Sequence, residues 1–209
     1  HLIILGSNKL ELTSGQYFNS MLVLDNNLEI IDHYNKRKLV PFGEFLTFQN
    51  FLNNFGFKKI TEGHGSFLKG KIYKNIIVNN LNILPLICYE IIFTDLIQKS
   101  KAKTNLIINI SEDGWFGDTI GPHQHFVKSI FRAIENNTFL VRSANKGISA
   151  IIDNKGNIVR QLNRNESGNI EFEIPLIKSN KNKNDLIFFS LLITYLFIFI
   201  YLQKKNEKK

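Results

Sequence analysis

Leu84-Pro85-Leu86-Ile87-Cys88-Tyr89-Glu90 is an apolar run that ends in a cysteine and a polar pair. A cysteine at the end of a buried strand stands where a sharp turn exposes its sulfur beside free backbone N–H groups, the setting a thiol nucleophile requires. The competing reading is an inert core thiol, since cysteine is among the most buried residue types. The flanking sequence has to decide between them. Strands are expected at residues 72–78 and 83–87, and a helix from Thr94, a suitable N-cap, to Lys101. Residues 106–110 are a mostly apolar run of the kind a sheet buries on both faces. Past the loop 114–122, Phe126, Val127, Ile130, Phe131 and Ile134 recur at helical spacing, with Pro122 placed to open that helix. Residues 138–142, 148–153, 158–162 and 170–174 read as strands, the middle pair joined at Asn154-Lys155-Gly156. Strands alternating with helices and mixed with hairpins indicate an α/β sheet layered by helices.

In the first third, residues 17–24 and 28–33 flank Asp25-Asn26-Asn27 and form a hairpin by their turn chemistry. Residues 42–69 read as a long functional loop, with Gly43, Gly56, Gly63 and Gly65 among several aromatics. Leu2-Ile3-Ile4-Leu5 reads as a buried strand with no cap or turn ahead of it, and the chain starts at His1 rather than Met. The natural protein is therefore expected to continue upstream, and the lack of a visible secretory signal carries no weight.

With 209 residues and 44% hydrophobic composition, the chain supports one globular domain with a substantial core. A net charge of +8 raises nucleic acid or an anionic membrane as partners. The excess of Lys and Asn, as in Asn180-Lys181-Asn182-Lys183-Asn184, is instead read as genome-wide composition drift, and no nucleic-acid motif accompanies it. One cysteine excludes an intrachain disulfide and makes Cys88 the only possible thiol nucleophile. His123 and His125 are two apart and diverge on a helix, so no metal site is assigned there and neither histidine is given a role.

Composition changes after Pro175. Residues 178–185 are polar, and residues 186–202 then run without a charge. As a helix that run spans roughly 25 Å, the short end of what a bilayer accepts. Apolar side chains cover every face, with Ser190 and Thr194 the minor exceptions, which favours a membrane span over a core helix. Lys204, Lys205, Lys208 and Lys209 follow, placing the C-terminus in the cytoplasm by charge bias. The expected organisation is residues 1–177 as the catalytic domain, 178–185 as linker, 186–203 as transmembrane helix and 204–209 as basic tail.

Two further segments bear on Cys88. Tyr34-Asn35-Lys36-Arg37-Lys38-Leu39-Val40-Pro41-Phe42-Gly43-Glu44 packs cations, a turn and a carboxylate together, which in isolation reads as solvated surface. Asn109-Ile110-Ser111-Glu112-Asp113-Gly114-Trp115-Phe116-Gly117 puts the only tryptophan in a glycine-flanked loop after a buried strand, where α/β proteins place their sites. Taken in order with Gly121-Pro122-His123-Gln124-His125, Arg132-Ala133-Ile134-Glu135 and Arg142-Ser143-Ala144-Asn145-Lys146-Gly147-Ile148-Ser149, these segments resemble the apolipoprotein N-acyltransferases over residues 15–160.

The resemblance implies a nitrilase-like α-β-β-α sandwich, incomplete at its N-terminus and followed by one transmembrane helix. It implies Cys88 as nucleophile and Lys36 as the triad lysine, with Glu44, Tyr89 and Glu90 supporting the site and Asp113 and Trp115 in its pocket. The general-base glutamate of that triad is expected upstream, since Glu11 and Glu29 fall in the wrong context. Glu112 and Lys146 depart from the family pattern. The implied reaction passes a fatty acyl chain from a phospholipid, through a Cys88 thioester, to the α-amino group of an apolipoprotein's diacylglyceryl-cysteine. It needs no cofactor and no nucleic acid. The implied setting is a bacterial inner membrane with the globular part periplasmic. A membrane-anchored nitrilase-type amidase and a non-catalytic remnant are the alternatives.

Overall fold

Asp25 turns the second hairpin of the chain: its Oδ1 accepts the backbone N–H groups of Asn27 and Glu29, both at 2.9 Å, and Leu28 takes a left-handed φ of 64°. The computed structural model describes residues 1–45, 66–98, 104–176 and 185–206, and the chain divides into two units, His1–Ser179 and Asn180–Lys209. In the first unit the hairpin joins β2 (Gln16–Leu24) to β3 (Ile30–Asn35), and β1 (Ile3–Glu11) completes a three-stranded antiparallel sheet with β2 at its centre. Leu2–Leu5 was expected to be buried, but only Leu2 and Ile4 pack against the core, and Ile3 and Leu5 alternate onto the exposed face of the sheet.

The larger sheet runs in the order β4 (Ile76–Val78), β5 (Leu81–Ile87), β6 (Leu106–Glu112), β7 (Phe139–Asn145), β8 (Ser149–Ile152), β9 (Ile158–Leu162). The central β5, β6 and β7 are parallel and the outer pairs antiparallel. Two-residue turns suit left-handed asparagines, and Asn79 and Asn80 close the β4–β5 hairpin with φ of 49° and 64°. The strand expected at 72–78 begins only at Ile76. The segment 170–174 forms no strand: the sheet ends at β9, and Ile170 and Ile174 pack against the core without a ladder.

Strand alternation divides the buried residues between two faces. Leu84 and Leu86 of β5 join Ile107, Leu140, Ala150 and Ile152 under the helices α1 (Thr94–Gln98) and α2 (Gly121–Asn136). Ile83 and Ile87 point the other way and meet Met21, Val23 and Tyr34 of the three-stranded sheet. The unit is thus a helix layer on a six-stranded sheet, backed by a second sheet.

Pro122 lies in the first turn of α2, and Asn137 ends the helix in the left-handed conformation at φ 47°, its N–H donating to the Ala133 and Ile134 carbonyls. Of the predicted apolar stripe, Phe126 is buried and Ile130 packs on the core, while Val127, Phe131 and Ile134 are exposed. The expected end of α1 at Lys101, most of the loop 42–69, residues 178–184 of the expected linker and the last residues of the basic tail lie outside the described residues, and Asp185, expected to end the linker, is the first residue of the C-terminal helix.

The second unit contains α3 (Asp185–Asn206), 22 residues or about 33 Å at 1.5 Å per residue. Its segment Leu186–Lys205 has a mean hydropathy of 2.3, long and apolar enough to cross a membrane, and its side chains are exposed.

Candidate active site

Cys88 sits at the corner where β5 gives way to a 3₁₀ turn, Cys88–Ile92, and its φ is 50°. A non-glycine residue in that conformation is strained by roughly 1–2 kcal/mol and persists only where neighbours hold it. Glu90, fully buried in the same turn, is one holder. Its Oε1 accepts the backbone N–H groups of Arg37 at 2.6 Å and Lys38 at 3.0 Å and the Tyr34 hydroxyl at 3.0 Å, and its Oε2 accepts the Ile87 N–H at 2.9 Å. Burial pushes the Glu90 carboxyl above its ordinary range, and the Ile87, Arg37 and Lys38 N–H groups and the nearby Lys36 charge partly offset it. Burial and the neighbouring Glu90 also push the Tyr34 phenol up, so it remains a donor.

One carboxylate therefore binds the N–H of the residue after Lys36 and the N–H of the residue before Cys88. This ties the Lys36 segment to the Cys88 corner. Lys36 is 1% exposed, at the end of β3, and its Nζ lies 2.9 Å from Oε1 and 2.8 Å from Oε2 of Glu44. Glu44 is aimed in turn by the Asn19 side-chain amide and the Val40 N–H, each at 2.8 Å. The close passage of Gly70, whose N–H donates to the Lys36 carbonyl at 2.8 Å, leaves no room for a Cβ against the Asn35 carbonyl. The cation cluster is thus no solvated surface: Lys36 and Arg37 are buried, and only Lys38 is half-exposed, 3.3 Å from Asp95 and above the Phe93 ring. Tyr89, also predicted for the site, packs edge-on against Phe93.

The β6 end supplies the third side. The Cys88 Sγ lies 4.0 Å from the Glu112 carbonyl oxygen. The Glu112 carboxylate caps the next turn through the Gly114 N–H at 2.8 Å and accepts from the Asn145 amide. Trp115 and Asp113, predicted as one pocket, separate. Trp115 is 61% exposed and shares an open surface depression with Glu112, Gly114, Asn145 and Lys146, whereas Asp113 is fully buried.

Asp113 Oδ1 lies 2.9 Å from His125 Nδ1 and 2.7 Å from the Ser111 hydroxyl, and Oδ2 lies 2.7 Å from Arg142 Nη2. Burial alone pushes this carboxyl up; the His125 hydrogen bond, the Arg142 charge and the Ser111 hydroxyl more than reverse it and hold it at about 2. Arg142 also donates to Asn109, whose amide donates to the Leu86 carbonyl at 3.0 Å. Sequence reasoning missed His125, Arg142 and Asn109. The available signal was a polar stripe, His125, Ser129 and Arg132, at helical spacing beside the apolar one, and all three are buried. Among the described residues, no group of three or more His, Cys, Asp and Glu could hold a metal ion.

A thiol on a strained strand-to-turn corner, set on a helix-covered pair of sheets, defines a nitrilase-like α/β sandwich. The chain belongs to the carbon-nitrogen hydrolase family, whose profile matches residues 1–180. It is 42% identical to the apolipoprotein N-acyltransferase of Rhodopseudomonas palustris over 159 residues, 76% of this chain and 30% of that protein. It is 41% identical to that of Rickettsia typhi over 167 residues, 77% of this chain and 32% of the relative. The chain thus spans about a third of the length of these curated relatives. The fold is similar to a carbon-nitrogen hydrolase from Helicobacter pylori G27, with TM-score 0.61, 14% identity, and 79% of this chain and 59% of that one covered. It is also similar to a member of branch 10 of the nitrilase superfamily from Saccharomyces cerevisiae, with TM-score 0.59, 19% identity, and 79% and 57% covered. The resemblance of the sequence motifs to apolipoprotein N-acyltransferases is borne out.

Proposed function

We propose that the chain carries the catalytic thiol of an acyltransferase that moves a fatty acyl group from a phospholipid to the α-amino group of an apolipoprotein's N-terminal diacylglyceryl-cysteine. The observation that carries the chemistry is the Glu90 tie, which sets the Lys36 segment beside a thiol held at positive φ. The direction toward acyl transfer comes from about 40% identity to N-acyltransferases and from the apolar helix α3. In this reading α3 spans a bacterial inner membrane, and the lysines after it favour a cytoplasmic C-terminus with the globular unit periplasmic.

In the first half-reaction the Cys88 thiolate attacks the phospholipid ester carbonyl carbon. An S–C bond forms, the ester C–O bond breaks, and the lysophospholipid leaves as an alcohol with the proton taken from the thiol. Lys36, held by Glu44, faces the developing oxyanion together with a backbone N–H at the Cys88 corner. In the second half-reaction the acceptor amine attacks the thioester carbonyl, the C–S bond breaks, and an amide and a free thiol result. Glu44 neutralises and aims Lys36. Both its oxygens are already engaged, so it is not assigned as the base.

The test is mass spectrometry of the protein in its own membranes, supplied with phospholipid and no lipoprotein acceptor. A hydroxylamine-labile acyl group on Cys88 is expected to accumulate and to disappear when acceptor is added. Cys88→Ser should form no thioester. Turnover of small amides without an acyl adduct from phospholipid would establish the amidase alternative instead.

A further inference from the structure

We infer that His125 is a positioning residue for Cys88, holding the strained corner by donating its Nε2 proton to the Cys88 carbonyl oxygen. The inference rests on the reading of Cys88 as the reactive thiol. The Cys88 carbonyl, at 3.2 Å, and the Asp113 carboxylate both only accept, so the ring nitrogen facing each of them carries a proton. His125 is buried on α2 and reaches the corner from the helix layer, whereas Glu90, within the corner's own turn, ties it to Tyr34, Arg37 and Lys38 at and beyond the end of β3. The corner is therefore held at two successive residues: Ile87 N–H by Glu90, and Cys88 C=O by His125.

The ring cannot turn freely, because its other nitrogen is fixed. Nδ1 lies 2.9 Å from Asp113 Oδ1 and 3.2 Å from Arg142 Nη2. Asp113 is held by Arg142 and Ser111, and Gly147 passes so close to its carboxylate that any side chain there would displace it. The same Arg142 steadies Asn109, whose amide holds the Leu86 carbonyl two residues before Cys88. One buried guanidinium on β7 thus reaches the end of β5 by two routes. Such an arrangement exceeds what a core histidine needs for satisfaction, and its endpoint is the one residue whose backbone is strained at the β5 end.

Cys88 is the only cysteine of these 209 residues, so alkylation by iodoacetamide at fixed pH, followed by mass spectrometry on the peptide that contains Cys88, reads this site whether or not acyl transfer is the reaction. In the full protein, His125→Phe fills the space but donates nothing, while His125→Gln can still donate an N–H. Losing a hydrogen bond of ordinary strength corresponds to about tenfold. His125→Phe is therefore expected to change the alkylation rate by about that factor and to lower the rate of acyl-adduct formation similarly, with KM for phospholipid unchanged. His125→Gln should return both to within about threefold of the parent. If His125→Phe does not fold, Ser111→Ala and Gly147→Ala, which loosen Asp113 without replacing His125, should produce the same change in alkylation at a temperature where each variant is still folded. Parent-like alkylation in the folded Phe variant, or in both Ser111→Ala and Gly147→Ala, would overturn the proposal. So would a Gln variant as impaired as Phe at equal stability. An intact alkylation pattern with no acyl adduct anywhere would refute the acyltransferase reading and leave this one standing.

Discussion

Arg142→Met tests the buried network most severely. Arg142 is 2% exposed and gives one donor to Asp113, one to Asn109 and one, at 3.2 Å, to the Ile148 carbonyl. Methionine fits the space but leaves the Asp113 carboxylate with only His125 and Ser111, and leaves Asn109 without its donor. The Asp113 carboxyl is held from 3.8 down to about 2. At about 1.4 kcal/mol for each tenfold in proton affinity, this is roughly 2 kcal/mol remaining after burial has opposed it. Removing the cation surrenders that and exposes the burial term, so the loss falls in the range of about 3–5 kcal/mol seen when one partner of a buried pair is deleted. Against a total stability of about 5–15 kcal/mol, urea denaturation of the full chain in detergent, followed by circular dichroism, will resolve it. Asp113→Asn in the Arg142→Met background should recover part of the loss, because the unpaired charge is gone. A cost under about 1 kcal/mol for Arg142→Met, or strict additivity with Asp113→Asn, would refute the reasoning.

Three further outcomes are expected. The folded-state value for Asp113 lies below 3.8, so its contribution is fully present above about pH 4 and is lost as pH falls toward about 2; Asp113→Asn should flatten stability in that window, and an unchanged acid limb in denaturation curves would contradict it. Lys36→Met is expected to slow acyl-adduct formation by about 10²- to 10³-fold, whereas Lys38→Met, which removes a half-exposed ion pair with Asp95, should stay within about threefold; the reverse order in single-turnover assays would invert the assignment. The apolar segment Leu186–Lys205 should keep the protein in the membrane pellet through high salt and alkaline carbonate, and release of the intact chain would count against a spanning helix.

Local sequence carried the elements whose causes are local. The Asp25 turn, the Asn-Lys-Gly turn before β9, Pro122 opening α2 and the uncharged run of α3 each depend on neighbours within a few residues, and each lies where the pattern puts it. The motifs around Lys36, Cys88 and Asp113 were legible for the same reason, as contiguous strings. Burial and pairing were not. Residues 170–174 carry a strand pattern, yet a strand exists only if another lies alongside with free N–H and C=O groups, and the sheet ends at β9. Lys36 and Arg37 look like surface cations, because nothing in their segment announces that the Glu90 carboxylate, far along the chain, will meet their loop inside. His125 reads as half of a mismatched histidine pair until α2 is laid over β5 and the ring reaches the Cys88 carbonyl. The sequence determined which groups were available and which stretches carried the pattern of strand, turn or helix. Only the tertiary structure decided which of them lost their water and met, because hydrogen bonds and charges across 53 or 37 residues of chain are set by how the layers stack.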